Sequence, residues 1–132
     1  MAAWTGWAAA ALVVIAALAP LYARLRAGKR AAPDAPPMRL HVVLGLATGF
    51  AAFLHTVVVV PALGQPEVIA GGMLALAPGG VAFFVLVAHT GLGLQLREPK
   101  LKKRADKRRA HVTTATIIAI AVAMHVVVLM RG

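Results

Sequence analysis

Five histidines carry most of the chemistry open to this chain, and four of them fall in a pattern that occurs twice. Arg39-Leu40-His41 is followed fourteen residues later by His55, and Arg109-Ala110-His111 is followed fourteen residues later by His125. The second copy lies seventy residues after the first, with the arginine and both histidines in register. An ionisable side chain within an apolar segment is costly and defaults to a functional role. For a lone histidine, a neutral imidazole bonded to a neighbouring helix is an equally good reading. Four in a repeated pattern favour axial ligation of two haem irons.

The spacing places demands on the elements that carry it. On a helix, fourteen residues at about 1.5 Å each separate two histidines by about 21 Å along the axis. Fourteen steps of about 100° return to within about 40° of the starting direction. His41 and His55 therefore share a helix face at opposite sides of a bilayer, and so do His111 and His125.

Composition supplies such helices. The chain has 132 residues, 61% of them hydrophobic, and a mean hydropathy of +0.82. A soluble domain this small cannot bury that much apolar surface, so the long uncharged runs read as transmembrane helices. The expected fold is all-α: a single four-helix transmembrane domain over 1–132, with spans at about 3–25, 38–60, 78–97 and 108–130. The apolar run from Val68 to Leu96 exceeds one span and is broken at Ala77-Pro78-Gly79-Gly80. A short interfacial helix at about 67–76, followed by a span opening on Pro78, fits it better than one kinked helix. The N-terminus lacks a basic region before its first apolar run, so that run is expected to be retained as a helix.

Charge sets the expected topology. The formal net charge is +10, but the basic residues lie beside apolar spans, which points to topology and anionic lipid headgroups and away from nucleic acid. Arg24, Arg26, Lys29, Arg30 and Arg39 flank the first loop. Arg97, Lys100, Lys102, Lys103, Arg104, Lys107, Arg108 and Arg109 occupy the third, leaving Arg131 as the one basic residue on the other face. Both basic loops are expected in the cytoplasm and both termini outside, as in a bacterial inner membrane. The second and fourth helices then run parallel, so His41 pairs with His111 and His55 with His125. These pairs would hold a cytoplasmic-side and an outer-side haem iron.

Smaller residues around the ligands agree with this. Gly45 and Gly49, with Thr48 and Ala52, lie between the ligands of the second helix and would let a flat macrocycle approach the backbone. Ordinary small-residue helix packing explains them equally. Arg39 and Arg109 are candidates for pairing with haem propionates, or serve only as basic flanks. His89 stands outside the repeat; a ligand substitution, a propionate or quinone contact and a structural hydrogen bond are all open to it. The absence of cysteine excludes thiolate-ligated clusters and covalently attached c-type haem. The four acids, Asp34, Glu67, Glu98 and Asp106, all avoid the middle of a span, so no carboxylate proton relay is expected. No phosphate loop, nucleophile elbow or His-Glu-x-x-His motif is present.

Two parallel helices, each with histidines fourteen apart, resemble the haem-binding core of cytochrome b from the quinol–cytochrome c oxidoreductases. The resemblance rests on spacing and topology, and it covers nearly the whole chain. It implies two b-type haems, each held between the second and fourth helices. The later helices and the quinol-site motif of the larger cytochrome b are missing, so quinol oxidation at such a site is not implied. The expectation is an electron-transfer protein, not catalytic alone, with membrane lipid around it. Quinone or another cytochrome would be its redox partner, and assembly as a homo-oligomer or within a larger complex is compatible. The alternatives are a haem-free membrane scaffold or assembly subunit, and a metal or haem transport protein.

Overall fold

The computed structural model describes residues 2–29, 31–65 and 72–131. Four helices account for most of them: α1 Ala2–Ala27, α2 Pro36–Val59, α3 Ala77–Gln95 and α4 Arg104–Arg131. No strand occurs among the described residues. Each helix is long and apolar enough to cross a membrane, which makes the chain an integral membrane protein of the all-α, four-helix kind.

Prolines mark the helix starts. Ala35 is extended at the N-cap of α2 and Pro36 follows, where its missing amide hydrogen costs nothing. Pro78 opens α3 in the same way. At the other end of α2, Val60–Ala62 tighten into one 3-10 turn around Pro61. The expected helix at 67–76 falls partly on residues 66–71, which lie outside the described residues; Met73–Leu76 form a single 3-10 turn leading into α3.

The main departure from expectation is the start of α4. Hydropathy begins the span near Arg108, whereas the helix begins at Arg104. Its first turns are charged and project beyond the apolar segment, where water and headgroups solvate them, so hydropathy does not register them. Lys103 takes a left-handed backbone conformation, φ 54°, to make the sharp entry. Arg104 then donates to the carbonyls of Leu96, at 2.7 Å, Glu98 and Pro99, tying the end of α3 to the start of α4. Asp106 lies in the first turn, the favourable end of the helix dipole for an acid.

Packing is that of two hairpins. α1 lies along α2 and α3 along α4, and the hairpins meet where α2 touches α3 and α1 touches α4. No Cα of α2 comes within 8 Å of a Cα of α4. These two helices therefore stand across a diagonal of the bundle. The outward surface is strongly apolar, with Phe50, Phe84, Val87 and Trp4 exposed, as lipid requires. The interior is built from small and medium residues: Thr48, Ala82, Leu86, Ile118 and Ala121 are buried.

Candidate haem-ligand site

The ligand face of each diagonal helix is fixed by what lies midway along it. Thr48 is seven residues from both His41 and His55, and Ile118 is seven from both His111 and His125. Seven residues are close to two helical turns, so all three positions of each set share one face. Thr48 and Ile118 are 2% and 3% exposed, which turns both faces into the bundle.

At the basic-loop end, the rings of His41 and His111 are neighbours at right angles, with centroids 6.1 Å apart and planes at 89°. Two imidazoles on opposite sides of one metal, with bonds of about 2.0–2.1 Å and roughly 1.1 Å from nitrogen to ring centre, have centroids about 6 Å apart. His41 Nδ1 donates to the Ala16 carbonyl at 2.8 Å, and His111 Nδ1 donates to the His89 carbonyl at 3.2 Å. A carbonyl only accepts, so both hydrogens sit on Nδ1 and both Nε2 atoms keep their lone pairs. Donation of the second ring nitrogen to a backbone carbonyl is the usual support of a metal-bound histidine. The ring spacing, the tautomers and the gap between α2 and α4 all fit a bis-His haem.

At the far end His125 and His55 are near enough to interact electrostatically. Together with the His41–His111 contact, this sets α2 and α4 parallel and in register. His55 Nδ1 and Thr5 Oγ1 share a hydrogen bond of 3.0 Å. His125 Nδ1 is buried and has no hydrogen-bond partner. An orphaned polar atom in a lipid-embedded core is costly, and it sets His125 apart from His41 and His111, whose Nδ1 atoms are bonded to backbone carbonyls. Among the described residues, no group of three or more His, Cys, Asp or Glu is arranged around a bare metal ion.

Glycines that sequence reasoning passed over press against three of the four rings. A Cβ on Gly6 would lie 3.1 Å from His55 Cε1, and one on Gly93 would lie 3.1 Å from His111 Cε1. A Cβ on Gly79 would lie 2.7 Å from His125 Cε1. The signal was present: Gly79 and Gly93 are themselves fourteen apart, on the helix antiparallel to the one bearing His111 and His125. The glycines expected to border the macrocycle have few protein neighbours. Gly45 opens onto free space, and Gly49 has only Thr90 Oγ1 nearby, at 3.9 Å from where a Cβ would sit.

His89, left open by the sequence, packs against His111. Its ring stacks on His111, centroids 3.8 Å apart and planes at 14°. Thr114 Oγ1 donates to the His111 carbonyl at 2.9 Å, and so accepts from His89 Nδ1 at 2.8 Å. His89 thus braces His111 twice, through its ring and through its carbonyl. Of the two arginines, Arg39 donates from Nε to the Asp34 carbonyl at 2.8 Å, and Arg109 is exposed. Comparison with protein-family models, with curated proteins and with solved structures found no match.

Proposed function

We propose that this chain is a small membrane cytochrome b carrying two bis-His haems, which passes electrons across or within the membrane. The observation that carries the reading is the inner pair. His41 and His111 stand on helices that do not pack together, their ring centroids lie 6.1 Å apart, and each gives its Nδ1 hydrogen to a backbone carbonyl. His55 and His125 form the corresponding outer pair.

Haem bound here would supply one-electron transfer, with His41, His111, His55 and His125 as the residues that would hold it. The chain's own residues hold and orient these ligands and exclude water. With two imidazoles holding each iron, dioxygen or a substrate would find no place to bind, which favours relay over catalysis. Thr48 and Ile118 fill the space midway between the two ligand levels. Arg39 and Arg109 lie close in sequence to the inner ligands and are the candidates for propionate contacts.

With the basic loops cytoplasmic, as the positive-inside rule favours, both termini lie outside in a bacterial inner membrane. Moving one charge across the full potential is worth about 2.3 kcal/mol per 100 mV, so the partners set the direction. Quinone, or another cytochrome, fits as electron donor or acceptor. The test is the visible spectrum and pyridine haemochrome of the purified protein. Two b-type haems per chain are expected; a colourless protein would leave a haem-free scaffold as the better reading.

A further inference from the structure

The acceptor of the His41 hydrogen bond is an unusual one. Ala16 is buried in the middle of α1, where a carbonyl normally accepts from the amide four residues on. That residue is Pro20, which has no amide hydrogen. The Ala16 carbonyl is thus left without its helix partner at membrane depth, where an unfilled carbonyl is costly. His41 Nδ1 fills it at 2.8 Å.

The antiparallel register shows that the placement is systematic. Gly6 meets His55, and fourteen residues after Gly6 comes Pro20, at the depth of His41. In the second hairpin Gly79 meets His125, and fourteen residues later Gly93 meets His111. Three of these four positions make room for a ring, and the fourth, Pro20, leaves the Ala16 carbonyl free to accept from one. We infer that Pro20 is a positioning residue for the inner ligand: by removing one helix hydrogen bond it frees the Ala16 carbonyl to hold His41 in the Nδ1–H form, with Nε2 directed at the iron. This rests on the proposed haem ligation. It gives the proline a task that helix termination does not explain, since α1 continues through it to Ala27.

The test is Pro20→Ala, which returns an amide to residue 20, with Pro20→Leu as a second variant that does the same. Both are also made in the His125→Ala background, where only the inner haem should remain. Haem content, electron paramagnetic resonance, midpoint potential and thermal stability are read on detergent-purified protein. The restored amide competes for the Ala16 carbonyl, and His41 loses its acceptor. Inner-haem affinity should fall about 10- to 100-fold, as for other supporting partners of a metal-bound histidine. Its potential should rise as the ligand becomes a weaker donor, while the outer haem stays unchanged and the helix is no less stable. Unaltered inner-haem signals in both variants would overturn the inference, and so would equal changes at both haems. A wild-type protein without haem would instead remove the function on which it rests.

Discussion

Gly79→Ala is the sharpest steric test of the outer ligand position. A Cβ there would meet His125 at 2.7 Å from Cε1, 2.8 Å from Nδ1 and 3.1 Å from Nε2. The nearest of these is about 0.7 Å inside ordinary van der Waals contact at 3.4 Å. Three atoms along the outer edge of the ring are met at once, so the imidazole must tilt or α3 must withdraw from α4. Overpacking of this kind costs about 1–3 kcal/mol, and at about 1.4 kcal/mol per tenfold that lowers outer-haem affinity by about 5- to 150-fold. Gly80→Ala is the matched control, because a Cβ on Gly80 meets nothing within 4 Å. Haem titration into apoprotein in detergent, followed by resonance spectra of the two centres, measures the difference. The Gly79→Ala protein should bind its outer haem weakly with an altered ligand-field signal, and Gly80→Ala should behave as wild type. If both variants bind two haems with wild-type spectra, His125 is not held against Gly79 as described.

The ligand pairing itself is tested by His55→Ala and His125→Ala: each should leave one haem of two, and retention of both refutes the assigned pairs. Thr114→Val keeps the shape of the side chain but strips His89 Nδ1 of its acceptor, and should lower stability by about 0.6–2 kcal/mol, the range for polar contacts between membrane helices. Equal denaturation midpoints for this variant and for Thr113→Val, an exposed neighbour, would count against the His89–Thr114 link. Because the chain has no cysteine, Gly64→Cys and Lys102→Cys report topology cleanly. An impermeant maleimide should label the first on intact cells and the second only after permeabilisation, and the opposite pattern reverses the proposed orientation.

Much of the architecture is legible in the chain because a bilayer reads composition directly. Uninterrupted apolar runs must become helices there, since no other local structure satisfies its own backbone without water. Helix number, the proline-marked start of α3 and the fourteen-residue histidine repeat all follow from residue order and the helical period; the second helix is expected from about Met38, and it starts two residues earlier, at Pro36. The start of α4 at Arg104 did not follow, because its charged turns lie beyond the apolar segment, and what ties them down is a set of Arg104 bonds to carbonyls of the preceding turn. Tertiary structure alone decided how the ligands are supported. Periodicity gives the direction of His41 but not the partner of its Nδ1, which is a carbonyl on another helix. His89, outside the repeat, is drawn into the site only by packing between α3 and α4. Gly6, Gly79 and Gly93 acquire meaning only once antiparallel neighbours bring a ring against each. A helix face can be computed from one segment, whereas a hydrogen-bond partner or a steric notch belongs to two, and their relative register comes from packing.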